Sequence, residues 1–442
     1  MFGCQPVLIS DTEILPYLEF VCSEANKLTN CGTYYGRQIY FKTGRIISKF
    51  DLNYEYKKNC HYQFLCAQAA QQVLLGVAEA FNSFRKLMAC YLKGEISNKP
   101  KPPKYRKSGG LALITYPKQA ISLVNNRVRF PLGLKVKASF GIDSFTVPMP
   151  SNLAFEEIRE VRILPRNGCF YAEFVYRQLQ SFKPELDMGR VLGIDPGVNN
   201  WLTCVSNIGK SFIIDGRKVK SQNQWYNKQV GKLKTGKPHG FWNDELAYIT
   251  EKRNRQMRDS INKAARYVIN WCLYNRVGRI VFGWNQRNKD EINLGKKNNQ
   301  EIVQIPTARL KQRIEQLCQQ YGIQFIETEE SYTSRSSFLD GDFLPNYDEK
   351  LKEQKYKFSG RRGQKRKGSL HNLGRGGYKT KTGLRINCDA MGAANILKKV
   401  AIQLDLDLAK IGRGVLILPR RINVFRHVFR LPKNILLESL SL

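Results

Sequence analysis

Three acidic residues in unlike settings could do chemistry together. Asp195 lies in GIDPGVNN (193–200), Glu330 in ETEESYTSRSS (327–337) and Asp389 in NCDAMGAANI (387–396). Asp195 and Glu330 each end an apolar, strand-like run, and Asp389 opens a helix-like one. Brought together in space, they would form a carboxylate cage for a hard, oxygen-preferring ion such as Mg²⁺ or Mn²⁺. Paired ions of that kind clamp the attacking and leaving oxygens of a phosphodiester. Each acid also has a plainer reading. An Asp before Pro-Gly is a turn residue. Glu330 precedes a hydroxyl-rich run in which Thr333 or Ser334 would cap a helix, and Asp389 would itself cap one. Glu327 and Glu329 compete with Glu330 for the inward position. Alternation along a strand puts Glu330 and Glu329 on opposite faces without saying which face is the inner one.

The surrounding chain is strongly basic. Its 442 residues carry 72 Lys and Arg against 37 Asp and Glu, a formal net charge of +35. Such an imbalance disfavours a compact state unless a polyanion screens it. The basic residues run along the whole chain, which favours a long nucleic acid over a basic tail. The bland alternative is a set of solvated charged faces. No apolar stretch approaches the roughly 20 residues of a membrane span. The opening MFGCQPVLIS lacks the charged start and apolar run of a signal peptide. Eleven scattered cysteines without a CxxC pair read as reduced thiols, so a cytoplasmic setting is expected. Four well-separated histidines give a zinc site almost no support, and no zinc is expected.

Several kinds of element must position the acids. Residues 1 to 50 mix short apolar runs with turn-like stretches such as TNCGTYYGRQ. From about 54 to 93 the pattern is helical, with Leu65, Ala69, Val73, Val77, Ala80, Phe84 and Leu87 at three- and four-residue spacing. EISNKPKPPKYRKSGG (95–110) is a basic Pro/Gly break. The short runs LALITYP, ISLVNNRVRFP, LKVKASF, SFTVPM, EVRILP and CFYAEFVYR follow, with turns at Asn125-Asn126 and Arg166-Asn167-Gly168. They read as a small β-barrel or sandwich up to about residue 180. After a polar boundary (181–190), RVLGIDPG, WLTCVSN and KSFIIDG read as three consecutive strands. A charged helical region (217–276) is broken near Gly236 to Gly240. RIVFGWN is a buried strand, Pro306 opens a helix to about 321, IQFIETEE is a strand, and 389–399 is a helix. Three antiparallel strands followed by alternating helices and strands is the order of an RNase H-like domain.

These residues resemble a known family. GIDPG, EESYTS and the DAMGAANI helix are similar to the three RuvC motifs of TnpB proteins, the transposon-encoded RNA-guided DNA nucleases to which type V CRISPR effectors are related. RNRQMRDSINKAAR (253–266) and FGWNQRNKDEINLGKKNNQEIVQIPTARL (282–310) resemble the segments between the first two motifs, and KPPKYRK resembles the basic loop ahead of the family's wedge domain. The similarity is clear from about 180 to 400. It implies a wedge-type β-barrel within 1–182 (mainly 1–50 and 110–180), carrying a helical recognition insert at about 54–95. A RuvC nuclease domain would follow over 187–442. It further implies a guide RNA from the transposon end, a double-stranded DNA target read beside a short adjacent motif, and Mg²⁺ or Mn²⁺ held by Asp195, Glu330 and Asp389.

The chain also departs from that pattern. Most relatives carry a four-Cys zinc ribbon between the second and third motifs, whereas residues 338–386 hold no Cys and read as a basic, Gly-rich insertion. Arg361, Arg362, Lys365, Arg366 and Lys367 are therefore expected to contact phosphate as that segment orders on nucleic acid; plain disorder is the alternative. Asn262 stands where relatives often have His, and Met391 where they often have Asn. Arg253, Arg255, Arg258 and Lys263, at helical spacing, would track a phosphate backbone or else form a solvated face. Tyr105 between Lys104 and Arg106 would stack on a base. The expected activity is RNA-guided, metal-dependent DNA cleavage. The alternatives are a nuclease-silent guided repressor and an unguided resolvase or transposase.

Overall fold

The computed structural model describes residues 2–177, 184–285, 305–345, 356–363 and 376–431. The chain divides into two compact units, Met1–Leu179 and Gln180–Leu442.

In the first unit, β1 (Phe2–Ile9) leads into a 29-residue helix, α1 (Leu15–Thr43). Three helices follow, α2 (Lys49–Tyr56), α3 (Cys60–Phe64) and α4 (Ala67–Leu92). The next elements are β2 (Ile114–Pro117), β3 (Ser122–Val124), β4 (Arg127–Pro131), α5 (Leu134–Phe140), β5 (Ser144–Pro148), β6 (Ile158–Arg166) and β7 (Cys169–Arg177). The strands form a four-stranded sheet, β1-β7-β6-β2, and a separate three-stranded sheet, β3-β4-β5. Neither closes into a barrel among the described residues. Both expected hairpin turns are present, and Asn125, Asn126, Asn167 and Gly168 all take the positive φ that a tight hairpin demands.

Two expectations fail here, and a third holds in part. TNCGTYYGRQ is helix, not turn. Its glycines serve close packing: a Cβ on Gly36 would sit 2.5 Å from the Phe81 ring, and one on Gly32 3.2 Å from Leu74. With Ala25 and Leu28 they form the seam of α1 against α4. LKVKASF alternates like a strand but is α5, held at its C-terminus by Gly141 at φ 69°, with only Val136 buried. Of the expected helical stripe, Leu65, Ala69, Val77 and Phe84 are buried, and α4 adds Ala70, Leu74, Ala78 and Phe81, while Ala80 and Leu87 face solvent.

In the second unit a six-stranded mixed sheet is flanked by helices. It is built from β8 (Asp187–Pro196), β9 (Asn200–Ser206), β10 (Lys210–Asp215), β11 (Val277–Gly283), β12 (Gln324–Thr328) and a late strand, β16 (Arg420–Ile422), in the order β12-β11-β8-β9-β10-β16. β8, β9 and β10 run antiparallel. β11 lies parallel to β8, β12 parallel to β11, and β16 parallel to β10. The strand order thus follows the sequence pattern, with the tail adding an unexpected edge strand. The helices α6 (Arg217–Lys234), α7 (Asp244–Tyr274) and α8 (Thr307–Tyr321) precede β12. Beyond it, β13 (Arg361–Arg362), β14 (Gly377–Lys379) and β15 (Arg385–Asn387) make a small antiparallel sheet that leads into α9 (Cys388–Leu404), and α10 (Arg413–Ile417) precedes β16.

Period-two alternation separates the two cores of this unit. Leu192 and Ile194 of β8, with Ile280 and Phe282 of β11, pack on α7 and α8. Val191 and Val281 turn the other way, onto Ala393, Ile396 and Leu397 of α9. Gly193, Asp195 and Gly283 share that second parity, so the sheet face beneath α9 carries the first acid.

Candidate active site

Asp195 reaches the end of β8 on the face covered by α9. The helix can come that close because three glycines clear the way. A Cβ on Gly193 would lie 2.6 Å from the Ala393 carbonyl oxygen, and one on Gly283 would lie 2.4 Å from Ile396 Cδ1. On Gly392 of α9 it would meet Asp195 Oδ2 at 2.6 Å. The small residues after Asp389 therefore allow close helix–sheet packing, and Asp389 enters the site from the first turn of α9. It is not the cap. The Asn387 side chain accepts from the Asp389 and Ala390 amides at 3.0 Å each, so the Asp389 carboxylate is released for other work.

Glu330 lies two residues past β12. Its backbone N–H donates to Asn285 Oδ1 at 3.0 Å, and its carbonyl accepts from Thr333 Oγ1 at 2.8 Å. The competing acids point elsewhere: Lys311 of α8 pairs with Glu327, and the buried Lys399 of α9 pairs with Glu329. Asn395 of α9 donates to the Thr333 and Ser336 carbonyls, both at 2.8 Å, tying the loop after Glu330 to the helix that carries Asp389.

Asp195, Glu330 and Asp389 line one open cavity of about 620 Å³, with Asn200, Asn285, Thr333, Ser334 and Arg362. The Asp195 carboxyl is held well above the usual carboxylate range. Burial is the largest cause, the negative charges of Asp389 and Glu330 add to it, and Arg362 opposes it. Oxygen donors of this kind suit a hard divalent ion, and a cation among them would relieve the mutual repulsion that raises Asp195. As they stand, no group of three or more His, Cys, Asp or Glu among the described residues is arranged to hold a metal ion.

The other expected site residues scatter. Arg362, on β13, reaches the cavity and donates to Ser334 Oγ at 3.2 Å, while Arg361 is exposed beside it. Lys365, Arg366 and Lys367 lie outside the described residues. Arg253, Arg255, Arg258 and Lys263 share α7, but not as a free stripe. Arg253 is half-buried and donates to Asn223 Oδ1 at 2.9 Å, and Lys263 pairs with Asp259 at 2.8 Å. Lys104, Tyr105 and Arg106 belong to the first unit. Their loop is bound to α1, where Asn30 Nδ2 donates to the Arg106 carbonyl at 3.1 Å and Arg37 lies 5.4 Å from the centre of the Tyr105 ring. Sequence reasoning missed Asn200, Asn285 and Asn395, although the first stands in the quoted GIDPGVNN and the last in NCDAMGAANI. Asn200 Nδ2 donates to Asp389 Oδ2 at 2.6 Å.

Comparison with known proteins gives a similarity over part of the chain. Residues 173–289 match the family model OrfB_IS605, described as a probable transposase. That segment holds Asp195 and ends before the other two acids. No curated protein matches the chain significantly. Among solved structures, a Cas12f1–sgRNA–target DNA complex is 15% identical with a TM-score of 0.33, covering 90% of this chain and 98% of that one. CasPhi-2 (Cas12j) bound to crRNA is 9% identical with a TM-score of 0.36, covering 91% and 98%. Both likenesses are distant. Over residues 173–289, then, this chain is similar to the OrfB_IS605 family of probable transposases.

Proposed function

We propose that this chain is an RNA-guided, metal-dependent DNA endonuclease that cuts beside a short target-adjacent motif. One observation carries the reading: three acids, from β8, the segment after β12 and α9, line a single cavity in a chain of net charge +35. Asp195, Glu330 and Asp389 would hold Mg²⁺ or Mn²⁺, which when bound supplies Lewis-acid stabilisation of the phosphodiester oxygens. The chain's own groups do the rest. Arg362 offers a cation at the cavity wall, where a phosphate arrives beside like-charged acids. Asn285 fixes the Glu330 backbone, and Asn395 keeps the following loop seated. Guide RNA and double-stranded DNA are the proposed partners, with base pairing supplying sequence choice.

The test is purification with co-expressed RNA, followed by incubation with DNA matching that RNA and carrying varied flanks. Cleavage should need Mg²⁺ or Mn²⁺, stop with EDTA, and disappear in Asp195→Ala. Cleavage that persists in Asp195→Ala, or after complete removal of RNA, overturns the proposal.

A further inference from the structure

The tail beyond residue 405 has no role in the reading above, yet it reaches the site. β16 is the edge strand beside β10, placing Arg421 opposite Ile213. Arg421 Nη2 donates to Asn200 Oδ1 at 2.6 Å, and Asn200 Nδ2 donates to Asp389 Oδ2 at 2.6 Å. The other guanidinium nitrogen, Nη1, lies 3.7 Å from Asp215, which Arg217 also grips at 2.5 Å.

An Asn side chain beside a carboxylate can present either its NH₂ or its carbonyl oxygen. Only the first attracts. Arg421 has donors alone, so it fixes which end of the Asn200 amide turns to Asp389. From this we infer that Asn200 and Arg421 are positioning residues: the tail strand sets the Asn200 amide, and Asn200 holds the Asp389 carboxylate in one orientation for a divalent cation. This rests on the proposed reading of the cavity. It adds that the metal site is incomplete without a residue from the tail. Outer partners of this kind typically change metal affinity by about 10–100-fold.

The experiment titrates Mn²⁺ into the full-length chain, following free Mn²⁺ by electron paramagnetic resonance. The wild type is compared with Asp195→Ala, Asn200→Ala, Arg421→Ala, Arg421→Lys and the Asn200→Ala/Arg421→Ala pair. Thermal melting of each variant checks that it folds; Arg421 is partly exposed, and its strand is held by backbone pairing. We expect binding that Asp195→Ala removes. Asn200→Ala and Arg421→Ala should each weaken it about tenfold or more, Arg421→Lys should weaken it less, and the pair should be no worse than either alone. Under saturating Mn²⁺, the variants should recover most of their cleavage rate with the KM for DNA unchanged. Wild-type affinity in folded Arg421→Ala, or full additivity in the pair, overturns this inference and leaves the nuclease reading standing. A wild type that neither binds Mn²⁺ nor cuts DNA overturns both.

Discussion

At the scale of single residues, burial first and then the charges of Asp389 and Glu330 hold the Asp195 carboxyl above the usual carboxylate range. Asp195 binds its proton more tightly in the folded state than in the unfolded chain. A raised carboxyl pKa stabilises the fold only while the group is protonated. That contribution is present below the unfolded value and is lost as pH climbs through the folded one. Asp195→Asn should therefore melt higher than the wild type in EDTA at neutral pH, with the gain shrinking as pH falls towards 4. Melting curves across that range check it, and a gain independent of pH would contradict it. Gly392 is the second residue-scale constraint. Alanine is the better helix former by about 1 kcal/mol, yet its Cβ would press on Asp195 Oδ2. Gly392→Ala should lower the cleavage rate at least about tenfold while moving the melting temperature by only a few degrees.

Elements explain what was legible in the sequence and what was not. Strands β8 to β12 could be read because buried strands bounded by Gly, Pro and Asn leave an unmistakable local pattern. Helix α9 could be read from its small residues, and the three acids could be picked out as candidates by the motifs that hold them. The departures share one cause: a distant partner, not the local pattern, decides the conformation there. Gly32 and Gly36 look like turn residues until α4 is known to lie against them. LKVKASF has perfect strand alternation, but no strand pairs with it. The asparagines of the site were missed because a neutral amide carries no signal until its partners are placed. The α1–α4 seam gives an element-scale test. Gly36→Ala drives a methyl into the Phe81 ring and should cost about 1–3 kcal/mol, lowering the melting temperature by several degrees. Asn395→Ala should cost about 1–3 kcal/mol by abandoning two buried carbonyls.

For the whole molecule, charge dominates. An excess of +35 spread over both units is a field that only a polyanion neutralises. Binding of the chain to nucleic acid should weaken by about a hundredfold or more between 50 and 200 mM salt, as counterion release requires. A filter-binding series gives the slope, and a flat response would refute an electrostatic interface.

The order in which the site's parts occur along the chain has a consequence for synthesis. Asp195 leaves the ribosome first, Glu330 much later, Asp389 later again, and Arg421 after all three. β10 must wait for β16 before its outer edge is covered. A growing polypeptide therefore carries its basic surfaces, able to collect nucleic acid, long before its acids are gathered. On the proposed reading, the acids would be brought together only after the segment that carries Arg421 has been made.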